Sequence, residues 1–205
     1  MQKALFGPGG NSLSFYAAGM KSTLQAPGWL SSLGLGAYEY QAGKGIFGSD
    51  DTFLSLGKKA AEHGIKMSLH APYYISLSSV EEEKRDKSVG YVLSSARVCS
   101  LIGADVFGVH SGSASKRDRE TAMRYAEETL AKAALALDEN GYTAMGEKKH
   151  LTFDDTVYGP SYERFIEAIV SLGVHPTVIC ESDGTMAEDA LTMQKLYEKE
   201  SEENK

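Results

Sequence analysis

Three ionisable side chains each close an apolar run of the chain. His70 ends the run KMSLH, His110 ends ADVFGVH, and Glu181 directly follows TVIC. Imidazole nitrogens and carboxylate oxygens are ligands that zinc takes in proteins, at about 2 Å. The three residue types therefore predict a metal site made of two histidines and one carboxylate.

These apolar runs alternate with helical patterns, which places the three residues at equivalent points of successive strands. The predicted strands are Ala4–Phe6, Gly36–Gln41, Lys66–His70, Ala104–His110 and Thr177–Glu181, and the predicted helices are Leu24–Leu33, Phe53–His63, Lys84–Ile102, Arg119–Leu137, Tyr162–Leu172 and Ala187–Glu198. Such alternation predicts an α/β fold with a parallel sheet, whose active site lies at the carboxyl ends of the strands. Because adjacent parallel strands lie about 4.8 Å apart, we expect the imidazoles of His70 and His110 to reach one ion.

The number of strand–helix units is too small for a closed barrel. With a weak strand near Tyr142–Met145 there are about six units, whereas a (β/α)₈ barrel has eight in about 250 residues. The alternation breaks within residues 140–160, NGYTAMGEKKHLTFDDTVYGP. We therefore expect one incomplete parallel barrel over residues 1–205, with mostly loop at this break. The early segment GPGG is interpreted as a tight loop.

The composition limits the classes of partner. A net charge of -7 and a pI of about 5.3 exclude an overall basic coat for nucleic acid, although not a local basic patch. No apolar run approaches the roughly 18 residues of a membrane span, and the start lacks an apolar signal core, so we expect no membrane partner and a cytoplasmic location. The two cysteines, Cys99 and Cys180, are predicted to be buried free thiols.

Basic residues adjoin each candidate histidine. They are Lys84, Arg85 and Lys87 after His70, Lys116, Arg117 and Arg119 after His110, and Lys148 and Lys149 before His150. A basic rim at one face of an acidic protein would attract phosphates. The alternative is an ordinary solvated helix start of mixed charge, because acidic residues such as Glu120 are interleaved.

Each candidate ligand also has a structural alternative. His70 could be a hydrogen-bonded loop residue, Glu181 could form a salt bridge with a lysine, and His150 could be a solvated loop residue. The remaining histidines favour structural roles. His63 is predicted to end a helix, where a cation suits the helix dipole, and His175 is predicted to lie at the surface.

Four segments together resemble one known family. They are LHAPYYISL, DVFGVHSGS, GEKKHLTFDD and PTVICESDGTMAEDALTM, in that order. The order and the segments resemble the endonuclease IV family, which comprises zinc-dependent apurinic/apyrimidinic endonucleases on a xylose isomerase-like TIM barrel. The resemblance runs from about Phe6 to Tyr197. It implies hydrolysis of DNA phosphodiesters at abasic sites, in base excision repair, with DNA as the partner.

The resemblance also implies roles for individual residues. The family holds three zinc ions, and His70, His110, His150 and Glu181 match its metal ligands, with Glu181 as the catalytic carboxylate. The basic residues implied to bind nucleic acid are Lys116, Arg117, Arg119, Lys148 and Lys149.

Several of the family's ligands are missing from this chain. The bridging glutamate position is Thr143, and the D-x-x-H motif and the seventh-strand histidine have no counterpart. The chain therefore resembles a family member with an internal deletion whose junction lies within residues 140–160. We expect one zinc ion instead of three and weak or absent cleavage, because one ion cannot clamp both reacting oxygens. A homodimer across the gap would cover the exposed sheet edges.

Two other functions stay open from the sequence. One is a degenerate, non-catalytic barrel with residual metal or nucleic-acid binding. The other is a sugar isomerase or epimerase, because the same scaffold hosts enzymes that use His and Glu around one divalent ion. The fold alone does not choose among them.

Overall fold

The computed structural model describes residues 3–114, 117–138 and 162–203, which form alternating strands and helices. In chain order the elements are β1 (Leu5–Pro8), α1 (Leu13–Ala17), a 3-10 turn (Thr23–Gln25), α2 (Ala26–Ser32), β2 (Ala37–Gln41), α3 (Asp50–Glu62), β3 (Lys66–His70), α4 (Glu82–Leu101), β4 (Phe107–Gly108), α5 (Arg119–Asp138), α6 (Tyr162–Ser171), β5 (Thr177–Cys180) and α7 (Met186–Glu203). The predicted α/β class is confirmed.

Most predicted elements are confirmed to within a few residues. β3 has the predicted bounds, Lys66–His70, and α5 begins at the predicted Arg119. Glycines end several helices in the left-handed region, as at Gly34 (φ 79°) and Gly103 (φ 70°). Glycine adopts this conformation without the steric cost that other residues meet there, so it stops a helix cleanly before the next strand.

Three local expectations were wrong. The strand predicted over Ala104–His110 is reduced to Phe107–Gly108, and the short helix α1 was not predicted. The segment interpreted as a tight loop contributes Gly7 and Pro8 to β1. Gly7 is required there because a Cβ atom on it would lie 1.8 Å from the Ala37 carbonyl oxygen, so the two backbones can approach only at a glycine.

The described residues divide into two compact units. The first unit contains residues 3–39, 58–67 and 162–203. In it β1 pairs in parallel with β5, from Leu5 opposite Thr177 to Pro8 opposite Cys180, and α7 packs on β1. Its core includes Phe6 and Ile166, both fully buried.

The second unit contains residues 40–57, 68–114 and 117–138. In it β3 pairs in parallel with β4, with Leu69 opposite Phe107 and His70 opposite Gly108. Helices α4 and α5 pack against each other. Buried Leu69 and Cys99 belong to its core. The boundary between the units passes through β2, α3 and β3, which contribute residues to both.

The strands form two open sheets among the described residues. Their orders are β1-β5 and β2-β3-β4, and Gly9 forms an isolated parallel bridge with Glu39. No closed eight-stranded sheet is present in residues 3–114, 117–138 and 162–203, which agrees with the predicted incomplete barrel. The weak strand at Tyr142–Met145 and the predicted junction lie outside the described residues. Within the same ranges, no helix is long and apolar enough to cross a membrane.

Candidate functional site

Two imidazoles lie side by side at the carboxyl ends of β3 and β4. The ring centroids of His70 and His110 are 4.9 Å apart, and the ring planes are inclined by 53°. The pairing register explains this contact. His70 lies opposite Gly108, and His110 follows two residues later, so its side chain projects toward the same face as the Gly108 position. Two members of the predicted set of three side chains thus lie in contact.

The hydrogen bonding of His70 determines which of its nitrogens is available. His70 is 5% exposed, and its Nδ1 lies 2.7 Å from the carbonyl oxygen of Ala71. Because a carbonyl oxygen only accepts, Nδ1 carries the proton and the lone pair of the neutral ring is on Nε2. Histidines that bind metals commonly use one nitrogen in this way to orient the other.

A tyrosine lies against both imidazoles. The ring centroid of Tyr73 is 5.0 Å from that of His70 and 5.3 Å from that of His110. The residue is 50% exposed, so one part of it contacts the histidines and the other meets solvent. A Cβ atom at Gly43 would lie 2.4 Å from the Tyr73 ring, so a larger residue at position 43 would displace this ring.

The loop after β3 is held by side chains from α4, from α5 and from the loop just before α5. Four consecutive carbonyl oxygens, those of residues 77–80, accept hydrogen bonds. Thr129 Oγ1 donates to Leu77 at 2.8 Å, and Arg85 donates to Ser79 at 2.7 Å and to Val80 at 3.2 Å. Arg117 donates to the carbonyl of Ser78. A loop without sheet partners is thus given a defined shape beside the imidazoles.

The loops after β3 and β4 also contact each other directly. Ser78 Oγ donates to the Ser113 carbonyl at 3.0 Å, and Arg117 donates to the same carbonyl at 3.3 Å. Gly112 has φ +99°, and a Cβ atom there would lie 2.5 Å from Ser78 Oγ. The loop that carries His110 is therefore tied to the loop that follows His70.

The other predicted ligands are placed differently. Glu181 directly follows β5 in the first unit and is partly buried. His150 lies outside the described residues. Among the residues that are described, no group of three or more His, Cys, Asp or Glu side chains could hold a metal ion. The zinc site therefore stays a prediction, carried by the two imidazoles.

The predicted basic residues fall into three groups. Lys116, Lys148 and Lys149 lie outside the described residues. Arg119 is the exposed first residue of α5, whereas Arg117 is partly buried and donates to the two carbonyls described above. The lysines after His70 pair with acids of their own segment, Lys84 with Glu81 and Lys87 with Glu83 at 2.7 Å, as the mixed-charge alternative predicts.

Sequence reasoning did not find the cluster of charged side chains around Tyr125. The guanidinium carbons of Arg85, Arg124 and Arg117 lie 4.6, 4.9 and 5.8 Å from the centroid of this ring. The spacing of Arg124 and Tyr125 along α5 gives no warning of it, because Arg85 comes from α4. We call these three arginines with Tyr125 the Tyr125 arginine cluster.

The two histidines assigned structural roles have them. His63 follows the last residue of α3, and its ring lies beside Gly28, where a Cβ atom would be 3.1 Å from Nε2. His175 is exposed, as predicted, but its Nδ1 also lies 2.9 Å from the Tyr197 hydroxyl. Both residues belong to the first unit.

The predicted thiols are confirmed as free and buried. Burial raises the pKa of the Cys99 thiol to about 11, and burial together with Asp189 raises that of Cys180 to about 12. Neither residue carries the lowered thiol pKa of a nucleophilic cysteine.

The fold agrees with a comparison against known families. Residues 28–191 match the family described as xylose isomerase-like TIM barrel. The chain belongs to this family. The xylose isomerase-like TIM barrel that the sequence predicted is therefore confirmed at the level of the family.

Individual relatives within this fold have different activities. An uncharacterized protein of Methanocaldococcus jannaschii, MJ0133, is 37% identical over 93 residues, which are 44% of this chain and 32% of that protein. The 3-keto-D-glucoside 4-epimerase YcjR of E. coli has a TM-score of 0.69 at 8% identity, covering 96% of this chain and 100% of the epimerase. A family 2 AP endonuclease of Brucella melitensis has a TM-score of 0.57 at 13% identity, covering 81% and 90%. The xylose isomerase-like fold is thus shared with both epimerases and AP endonucleases.

Proposed function

We propose that the protein hydrolyses DNA phosphodiesters at abasic sites with one zinc ion, at a reduced rate. The observation that carries this proposal is the pair of adjacent imidazoles, His70 and His110, with the Nε2 lone pair of His70 left available. Imidazole is a preferred zinc ligand, and the hydrogen bond from Nδ1 to the Ala71 carbonyl fixes the ring for binding.

The residues of the site would have the following roles. His70, through Nε2, and His110 would hold the ion. A bound zinc ion supplies a hydroxide near neutral pH and polarises a phosphoryl oxygen. Tyr73 shields the two imidazoles on one side and offers a half-exposed ring to the substrate. The role of Glu181 as a further ligand and as the catalytic carboxylate stays a prediction of the sequence, because no third ligand joins the imidazole pair among the described residues.

Exposed aromatic side chains favour a nucleic-acid substrate over a free sugar. Tyr73 and Tyr74 are each 50% exposed on the loop after β3, and Phe47 is 73% exposed on the loop after β2. Bases and deoxyribose stack on exposed rings, at about 1–3 kcal/mol per stacked base. A free sugar is usually held in an enclosed pocket.

The test combines metal content with cleavage. Purified protein loaded with zinc is dialysed and analysed for zinc per chain, and then assayed on a duplex with one tetrahydrofuran abasic site. We expect about one zinc per chain and slow cleavage that requires it. His110→Ala should lose the zinc, whereas His63→Ala, an exposed histidine of the first unit, should retain it.

Four outcomes would contradict the proposal. Equal zinc content in His110→Ala and His63→Ala would show that the imidazole pair does not bind the ion. Zinc binding together with epimerisation of a ketose, without cleavage of DNA, would favour the sugar epimerase. The absence of both bound zinc and activity would favour the non-catalytic barrel. Three tightly bound zinc ions with robust cleavage would show that the site is not reduced.

A further inference from the structure

The Tyr125 arginine cluster gathers three positive charges on one aromatic ring. The arginines come from α4, from the loop before α5 and from α5 itself, and all three guanidinium carbons lie within 5.8 Å of the ring centroid. Like charges gathered on one ring repel one another, and solvent, acids or a bound anion can reduce this repulsion.

The protein itself compensates the cluster only in part. Within the described residues, the carboxylate that pairs with these arginines is Glu128, at 2.9 Å from Arg124. Asp118 accepts the Thr121 backbone N–H at 2.8 Å, and its pKa is lowered mainly by this hydrogen bond and to a smaller extent by the charge of the adjoining Arg117. Arg85 and Arg117 donate to neutral carbonyls, which do not cancel a charge. The cluster therefore remains positive on a protein whose net charge is -7.

The same hydrogen bonds hold the arginines in place. Arg85 uses one terminal nitrogen, Nη1, for the carbonyls of Ser79 and Val80, and the structure shows no protein partner for its other guanidinium nitrogens among the described residues. Arg124 is exposed. Planar guanidinium groups suit phosphate oxygens, and side chains that are already fixed lose little conformational entropy on binding.

We propose that the Tyr125 arginine cluster binds backbone phosphates of DNA. This inference rests on the proposed function for the identity of the polyanion. It assigns phosphate contacts to Arg85 and Arg124 in addition to Arg117, and it makes Glu128 an internal competitor for the same guanidinium groups. The shared chemistry is that of a phosphate oxyanion, which free phosphate could also supply.

The experiment uses paired variants of the full chain. Anisotropy of a labelled, undamaged 20-base-pair duplex is measured across a salt series. Arg124→Gln is compared with Lys132→Gln, which removes one positive charge at a lysine of the same helix paired with Asp86 at 3.1 Å. Glu128→Gln is compared with Glu127→Gln, which removes one negative charge at an exposed neighbour.

The expected pattern is opposite for the two pairs. Arg124→Gln should weaken binding about fivefold and lower the slope of log K against log salt by about 1, as the loss of one phosphate contact predicts. Glu128→Gln should tighten binding about threefold, because it frees Arg124. Lys132→Gln and Glu127→Gln should change the affinity less than about twofold, because Lys132 already pairs with Asp86 and, among the described residues, Glu127 forms no ion pair with the three arginines.

The proposal is overturned if Arg124→Gln and Lys132→Gln weaken binding equally, since only net charge would then matter. It is also overturned if inorganic phosphate binds in an Arg124-dependent manner while DNA affinity does not change in Arg124→Gln, because the ligand would then be free phosphate. Cleavage of abasic DNA without the variant pattern would leave the proposed function standing and reject the cluster. The variant pattern without cleavage would support the cluster and reject the proposed function.

Discussion

The carboxyl ends of the strands serve different purposes in the two compact units. In the first unit polar groups there satisfy the backbone and one another. The Gly9 N–H donates to the Cys180 carbonyl at 2.7 Å, buried Ser12 Oγ accepts the Ala187 N–H at 3.0 Å, and the Tyr38 hydroxyl donates to Asn11 at 2.9 Å. In the second unit the corresponding ends carry two adjacent imidazoles and a half-exposed tyrosine.

This difference shows that a strand-end position alone does not make a site. Ser12 caps the start of α7, which is the ordinary use of a hydroxyl near a helix N-terminus. His70 differs from Ser12, because an imidazole whose Nδ1 is satisfied by a carbonyl oxygen still presents Nε2. Chemistry is therefore expected in the second unit, and mainly structural hydrogen bonding in the first.

The largest expected effect tests the close packing of the first unit. Gly7→Ala places a methyl group 1.8 Å from the Ala37 carbonyl oxygen, so β1 and β2 must separate. We expect a loss of at least ~3 kcal/mol in the free energy of unfolding, measured by urea denaturation. The control is Gly90→Ala in α4, where no atom lies within 4 Å of the new Cβ, and it should gain ~0.5–1 kcal/mol. Equal stability of the two variants would show that β1 and β2 do not approach as described.

A second test uses the buried thiol in each unit. The folded pKa values of Cys99 and Cys180, about 11 and about 12, lie above the ordinary value of 9.0. The folded state thus holds these protons more tightly than the unfolded state, so the contribution of the thiols to stability is constant below pH 9 and is lost as the pH rises toward 11. We expect a decrease of at least ~1 kcal/mol between pH 8 and pH 11 by urea denaturation.

The matched control for this pH dependence is the double variant Cys99→Ala/Cys180→Ala, which retains every other group that titrates above pH 9. Its stability should fall less steeply over the same range. The single variants then assign the slope to one unit or the other. A slope identical to that of the parent protein would reject the assignment to the thiols.

A smaller effect is expected at the loop after β3. Thr129→Val removes the donor to the Leu77 carbonyl and leaves that buried acceptor without this partner. The expected loss is ~1–2 kcal/mol in the free energy of unfolding. Thr129→Ser retains the hydroxyl and should restore more than half of the loss. If serine is no better than valine, packing and not the hydrogen bond holds the loop.

The smallest expected effect lies in the first unit. Tyr197→Phe removes the hydroxyl that lies 2.9 Å from His175 Nδ1, near the partly exposed edge of β5. We expect a loss of ~0.5–1 kcal/mol. A double-mutant cycle with His175→Ala should give a coupling of similar size at pH 8, and additive effects of the two substitutions would show that the pair does not interact in solution.

The sequence predicted the imidazole pair because this prediction needed only the end of each strand and the known spacing of parallel strands. The bounds of β3 follow from an apolar run between Gly64 and Pro72, and the spacing of parallel strands brings the next strand end alongside. The length of β4 could not be predicted, because its apolar run continues after the pairing with β3 has ended at Gly108. The hydrophobicity of a segment indicates that it is buried, but it does not show how many of its residues form backbone hydrogen bonds with a neighbouring strand.

Other features depend on contacts between distant residues. Gly7 and Pro8 look like turn residues in any sequence window, and only the approach of Ala37 explains their place in a strand. The Tyr125 arginine cluster joins residues separated by up to 40 positions, and its basic members also resemble an ordinary helix start. The burial of His70, which is 5% exposed, likewise involves the ring of Tyr73, at 5.0 Å from the imidazole.

The four capped carbonyls of residues 77–80 have a consequence for protein engineering. The shape of this loop is encoded mostly outside it, in Arg85, Arg117 and Thr129. A transplant of residues 71–81 into another parallel barrel would therefore lose its conformation unless those three side chains were transplanted with it. Recombination between homologues should likewise keep the segment from β3 to Thr129 together, without a crossover inside it.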